Sequence, residues 1–470
     1  MPRFALLVAI AGVLGLVTAG RAEGLKAGAF ARDVTPKAFP VSVNGGMRDV
    51  TATAANDPLH ARCLVLDDGR TKIAIAVVDS CMIPRELVLA AKGQAARLTG
   101  IPADHILISA THTHSAPTVT GVFQSEPDAD YVRYLAKGIA EGIQAAHDRR
   151  VPARIGFART EDKEQVFNRR WKREHALIPA DPFWNTTDQV QMNPGHQVKG
   201  LVEPAGPVDP EICLVSVQTA DGKPLGLLAN YSLHYVGGNP PLSADYYGTF
   251  ADRVKQLIAG DAKDFVGIMS NGTSGNVNNI NFGAPALKYG PGERIKVVVD
   301  HVARKVAEVY PTIEHRRDIT LAAATKELRL GVRKPTDRDL ERARKIIAEN
   351  EGKKDLVGTA AVYARESVLL AKYPDHVPVT IQALRIGDVG IAAVPCEVFA
   401  EIGLEIKRTS PLKNTFTIEL ANGYNGYLPT PGQHSLGGYE TWRARSSYLE
   451  VEASVKITAA VKELLAAVSK

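Results

Sequence analysis

The sequence predicts an α/β fold: mixed β-sheets flanked by helices, in one large domain. Three observations carry this. Short apolar runs rich in β-branched residues alternate with amphipathic helical stretches along the whole chain. Two pairs of such runs are joined at Asp68-Gly69 and at Asp221-Gly222, the dipeptide of a tight hairpin. No Gly/Ser-rich or Pro-rich linker divides residues 23–470, so they are expected to form a single domain.

The elements follow in order. Residues 63–66 and 73–78 form the first strand pair, and 85–98 a helix. Residues 106–110 return as a strand, and 129–147 have the period of an amphipathic helix. A second hairpin is expected over 213–217 and 225–233. Residues 246–258 read as a helix, 265–269 as a strand and 295–310 as a helix. The charged stretch 336–371 reads as helical. Strands follow at 379–385, 389–394 and 416–420, and a last helix at 448–468. The Pro/Asn-rich stretch 180–207 is a long loop or insertion, a kind of segment often used in function. With Trp184, and with Trp171 just before it, this stretch is expected to wall a binding site.

Composition bounds the class. Of 470 residues, 45% are hydrophobic and 23% charged, which is ordinary for a globular enzyme-sized chain. The net charge of +5 comes without a basic run, which argues against nucleic acid as a partner. Residues 1–22 have the form of a secretory signal peptide. Arg3 opens it, residues 4–18 are its apolar core, and Gly20-Arg21-Ala22 puts small residues at −3 and −1 of a cleavage site. That core is too short for a comfortable membrane span. The mature chain, residues 23–470, is therefore expected to be soluble and exported, to a periplasm or outside the cell. Export permits disulfides, and Cys63, Cys81, Cys213 and Cys396 allow three pairings. All four sit in or beside apolar runs, so buried free thiols are equally consistent.

Chemistry concentrates at strand ends. The run Ile106-Leu107-Ile108-Ser109-Ala110 leads into Thr111-His112-Thr113-His114-Ser115-Ala116-Pro117. On an extended backbone His112 and His114 point to one side. A cleft at the strand ends is where open α/β sheets bind ligands. Three further runs end in polar clusters: Asn230-Tyr231-Ser232-Leu233-His234, Ser270-Asn271 through Asn279, and Pro395-Cys396-Glu397. His112 or His114, with His234 and Glu397, form a His/His/carboxylate set of the kind that binds catalytic zinc. Each of these residues taken singly is more often structural. The rival motifs fail. Cys81-Met82-Ile83-Pro84-Arg85 has its proline one place late for a sulfatase signature. The 271–279 loop lacks the Gly-Lys-Ser/Thr ending of a P-loop. Neither Ser115 nor Ser274 lies in Gly-x-Ser-x-Gly.

Taken in order, these clusters resemble the neutral/alkaline (non-lysosomal) ceramidase family, from about Asp33 to about Tyr439. The resemblance implies a secreted zinc amidase that hydrolyses an N-acyl bond. It implies His112, His234, Glu397 and Tyr427 as Zn²⁺ ligands, with Tyr427 carried in Gly426-Tyr427-Leu428-Pro429-Thr430. It implies His114 as a catalytic histidine, Arg169 of Asn168-Arg169 as an active-site arginine, and Tyr439 as a substrate contact. The family's loop serine aligns with Asn278, which departs from the pattern, with Ser274 nearby but out of register. The family's C-terminal immunoglobulin-like domain is not expected here, since a helix follows soon after Tyr439. The insertion 180–207 has no family counterpart.

The expected mechanism is attack of a zinc-activated water on an amide carbonyl, with His114 moving protons and Arg169 and Tyr439 donating hydrogen bonds. The expected partner is a small-molecule or lipid substrate, with peripheral membrane contact if it is a lipid. Asn278 points away from ceramide towards smaller or more polar N-acyl compounds. Two alternatives stay open: an esterase or deacylase of another lipid or glycan on the same zinc, and a non-catalytic metal-containing binding protein.

Overall fold

The computed structural model describes residues 24–353 and 355–470. The expected signal peptide, residues 1–22, lies outside them. The larger of two main sheets has eight strands, in the spatial order Val266–Asn271, Pro224–Tyr231, Glu211–Thr219, Val151–Glu161, Lys26–Asp33, His60–Asp67, Lys72–Val78 and Ile106–Ala110. Neighbours run antiparallel except at the two edges, where Val266–Asn271 and Ile106–Ala110 are each parallel to the strand beside them. A four-stranded sheet has the order Leu321–Gly331, His376–Ile386, Val389–Ala393 and Asn414–Ile418, with its last pair parallel.

The sheets face each other and helices cover both outer faces. Leu64, Ile73, Ile75 and Val77 of the large sheet pack with Leu384, Ile391, Phe416 and Ile418 of the small one. On the large sheet's other face, Ala61, Cys63 and Val65 meet Leu87, Val88, Leu135 and Ile139 of the helices Arg85–Thr99 and Ala129–Asp148. The helices Asp245–Val254 and Glu293–Val309 cover its remaining half. Ala400–Thr409 and Ala453–Ser469 cover the small sheet. A strand buried on both faces reads as an unbroken apolar run, as Ile73 to Val78 does within Lys72–Val78.

Two expectations about helices need correction. Residues 336–371 are two helices, Asp337–Glu349 and Thr359–Leu370. Between them Gly352 takes φ +78, a conformation that ends a right-handed helix. The first of the pair starts with a capping box, Thr336 and Asp339 each bonding the other's backbone. The C-terminal helix begins at Ala453, not 448, because Tyr448 and Leu449 bridge to Arg333 and Val332 instead. All four cysteines are buried and free. Among the described residues, no helix is long and apolar enough to cross a membrane.

One short segment joins the two sheets. Leaving Asn414–Ile418, the chain bonds both edges of the large sheet: Glu419 N donates to Asn271 O at 3.2 Å, and Ala110 N to Leu420 O at 3.1 Å. Asn422 N then donates to Ile108 O at 2.7 Å. The ends of opposite edge strands are thereby drawn to one place. The polar clusters at the strand ends converge at this junction of two sheets.

Candidate metal centre

His112 follows the strand Ile106–Ala110, but the backbone beyond Ala110 is not extended. His112 has φ +77. The expectation that it shares a side with His114 through strand alternation is therefore wrong; a left-handed turn brings the two rings together. Such a residue costs about 1–3 kcal/mol and persists where its surroundings dictate it. Here His112 N donates to Ser80 O at 2.9 Å and Nδ1 donates to Cys81 O at 2.7 Å. His114 lies against Gly45, where an added Cβ would meet its ring at 2.6 Å, so only glycine fits. The other face of His114 stacks on Tyr235, with centroids 3.7 Å apart.

His234 follows the strand Pro224–Tyr231. Its Nδ1 faces the carbonyl and hydroxyl oxygens of Ser274, each at 3.2 Å. The turn after it is held by Asp245, whose carboxylate accepts from Val236 N and Gly237 N. Glu397 follows Val389–Ala393 of the small sheet and pairs in register with Tyr427 across a short parallel bridge.

These positions aim lone pairs at one point. The Nε2 of His112 stands 3.0 Å from that of His234 and 3.1 Å from that of His114. Glu397 Oε2 lies 3.3 Å from His112 Nε2 and 4.0 Å from His234 Nε2. With the Nδ1 of His112 and of His234 directed at a carbonyl, the hydrogen-bond network assigns a lone pair to the Nε2 of each. Arg169 brings one donor, at 3.2 Å from His234 Nε2. Glu397 Oε2 is buried with no hydrogen-bond partner. One proton on His112 would satisfy a single neighbour among several acceptors. A cation satisfies all of them, so His112, His234 and Glu397 fit a metal ion by their donor chemistry.

The electrostatics agree. Burial disfavours an imidazolium at every ring. At His112 the Glu397 carboxylate and Cys81 outweigh it and hold the ring well above the usual histidine value. His114 and His234 are pushed well below it, first by burial and then by charge on His112 and Arg169. Cys81 Sγ is 3.9 Å from His112 Nδ1, and its thiol is pushed up by burial.

The other expected residues gather around this cluster. Tyr427 is buried; burial and then the Glu397 charge push its hydroxyl well above the usual phenol value, against the pull of Arg169. The Arg169 guanidinium lies 5.4 Å from the Tyr427 ring centroid. Arg169 also donates to Gly275 O at 2.9 Å and to Glu440 at 3.0 Å. Tyr439 packs on Tyr427 with ring centroids 5.8 Å apart.

Asn278 is hydrogen-bonded to neighbouring loop residues. Its Nδ2 donates to Asn193 at 2.9 Å and its Oδ1 accepts from Ile280 N at 3.0 Å. The amide serves the loop. Ser274 stands much closer to the centre, but behind it: its hydroxyl reaches His234 Nδ1 and donates to Glu419 at 2.6 Å. Glu419 also accepts from Ser274 N and Val398 N, and burial pushes its carboxyl up to about 8. The tryptophans expected to wall a site do not reach the cluster. Trp184 is half-exposed under the Arg342 guanidinium, and Trp171 rests against Gly283.

Sequence reasoning missed Tyr235, Tyr424, Glu419 and Glu440. Tyr424 donates its hydroxyl to Glu397 at 3.2 Å. Glu440 is fully buried and binds both Arg169 and Arg170, the latter at 2.6 Å. The one available signal was a charged residue inside an otherwise apolar or turn segment, as in Phe416-Thr417-Ile418-Glu419-Leu420.

No family model matches the chain. Two solved structures resemble it over nearly its whole length. A ceramidase complexed with C2 is 17% identical, with a TM-score of 0.70, covering 95% of this chain and 75% of that one. A neutral ceramidase from Pseudomonas aeruginosa is also 17% identical, with a TM-score of 0.67, covering 94% and 74%. The chain has the fold of a neutral ceramidase.

Proposed function

We propose that this ceramidase-fold chain is a zinc-dependent hydrolase that cleaves an amide N-acyl bond. The observation that carries the reading is the convergence of His112 Nε2, His234 Nε2 and the partnerless Glu397 Oε2. His112, His234 and Glu397 would hold the ion, with Tyr427 beside Glu397 as the fourth ligand. When bound, zinc supplies an acidified water and an electrophile for a carbonyl oxygen.

The chain's own residues supply the rest. Burial and then charge on His112 and Arg169 keep His114 neutral, so its Nε2 carries a lone pair, the state from which a general base acts. Its ring packs against Gly45 and stacks on Tyr235, which orient it. Arg169 is fixed by Glu440 and Gly275 O, a preorganised cation for the charge that develops on a carbonyl oxygen. Tyr439 offers a phenolic donor next to Tyr427. Burial of His112, His234, Glu397, Arg169 and Tyr427 strengthens the interactions these residues make.

The test is hydrolysis of N-acyl amides, with matched esters alongside, before and after chelation. The reading expects amide turnover that chelation abolishes and added zinc restores. Turnover indifferent to chelation contradicts it. We also propose that the protein is exported after cleavage near Ala22, with a soluble mature chain. N-terminal sequencing of the exported form tests this, and an intact Met1 on the soluble protein contradicts it.

A further inference from the structure

A cavity of about 180 Å³ is lined in part by Tyr439, whose ring packs on that of Tyr427. Met47, Ile178, Val190, Met192, Tyr439 and Trp442 give the wall aliphatic, thioether and aromatic contacts, and Gln191 and Thr359 add two neutral polar side chains. The one carboxylate in the wall is already engaged: Asp188 accepts the Trp442 indole N–H at 2.8 Å and holds the ring edge in place. Val190 and Met192 belong to the insertion 180–207.

Three chain connections tie this cavity to the cluster. Tyr439 lines it and packs on Tyr427, the neighbour of Glu397. Val190–Met192 pairs with the strand Arg170–Arg173, and the next residue, Asn193, donates its N–H to Arg169 O at 2.9 Å. Met47 lies two residues past Gly45, the glycine against His114. Tyr439 is thus shared by the cavity wall and by the rings packed next to Glu397.

We propose that the cavity binds a compact apolar substituent of the amide substrate, about the size of six carbons, and so determines which substrates are used. This rests on the amidase reading above. The size follows from volume: an apolar cavity of about 150 Å³ is filled by benzene. The chemistry follows from the lining, which offers apolar and polarisable contacts and no free charge. A short acyl chain and a short alkyl chain on the amine side share this chemistry, and two substrate series separate them.

One series varies the acyl chain from two to sixteen carbons on a fixed small amine, and the other varies the amine on a fixed acetyl group. In one of the two, kcat/KM rises about three- to fourfold per methylene up to about six carbons and then levels. Val190→Trp fills the cavity and removes that rise. Met192→Trp repeats the test from another wall position, should the first variant fold poorly. Hexanamide binding, followed by calorimetry, reports on the cavity without turnover; it is expected in the wild type and lost in the filled variants. Unchanged length dependence, or unchanged hexanamide binding, in folded Trp variants overturns the proposal. Hexanamide binding that the Trp variants lose, with no amide turned over by the wild type, supports the cavity and overturns the amidase reading alone.

Discussion

Glu440 accepts from Arg169 Nε at 3.0 Å although 271 residues separate them in the chain. Its other oxygen binds Arg170, and all three side chains are buried. This carboxylate is what allows a guanidinium to stand beside three imidazoles. Glu440→Ala leaves two buried cations short of a partner, which typically costs about 3–5 kcal/mol. A large drop in the urea midpoint is expected, and the milder Glu440→Gln should fall between the two. A midpoint within experimental error of wild type in Glu440→Ala would show that the pair of arginines is held by other groups.

Ser274 is expected to act on the metal ligand and not on substrate. Its hydroxyl stands between His234 Nδ1 and Glu419. Groups that orient a ligating histidine commonly change metal affinity by about 10–100-fold when removed. Competition with a chromogenic chelator should show Ser274→Ala weakened within that range. Unchanged zinc affinity with a collapse in kcat would instead make the serine a substrate-facing residue.

His114→Ala should keep its zinc and lose turnover. The loss of a general acid/base typically amounts to about 10²–10⁴-fold in kcat. Zinc content and rate are to be measured on the same preparation. Loss of zinc would make His114 a ligand, a role its 3.1 Å approach to His112 Nε2 also permits.

Asn278→Ser should change kcat/KM by less than about threefold, or about 0.65 kcal/mol. The amide bonds Asn193 and Ile280, so the substitution loses loop hydrogen bonds at about 1 kcal/mol of stability each. A change of tenfold or more in the preference between ceramide and short N-acyl amides would show that Asn278 reaches the substrate after all.

Much of this arrangement is legible in the sequence, and the parts that are not share a cause. Strands buried on both faces announce themselves: Lys72–Val78 and Val389–Ala393 are continuous apolar runs. Leu321–Gly331 does not. Its Leu-Ala-Ala-Ala-Thr-Lys-Glu-Leu-Arg-Leu favours helix by composition, yet it pairs with His376–Ile386 along its full length. Tertiary pairing overrides local preference there. The small residues of Lys26–Asp33 hide a strand at the middle of the large sheet in the same way.

At the site, motif-bearing residues were readable because strand ends carry them: His112, His114, His234 and Glu397. Their partners were not. Glu419 and Tyr235 stand beside residues already singled out, but nothing in their spacing marks them. Their roles come from closure of the two sheets by residues 419–422. The His112–His114 pairing was anticipated for the wrong reason, since a positive φ, not strand alternation, makes it. Asn278 was placed by alignment of a loop, where its amide bonds Asn193 and Ile280.

The account rests on an ion at the point where His112, His234 and Glu397 meet. Metal analysis of the purified, zinc-grown protein tests this most directly, with His234→Ala and Glu397→Ala prepared in parallel. About one zinc per chain is expected in the wild type, as for a site of three or four nitrogen and oxygen ligands. Each variant should lose most of that zinc while remaining folded. Full zinc in both folded variants, or a wild type that takes up none when zinc is supplied, would contradict it.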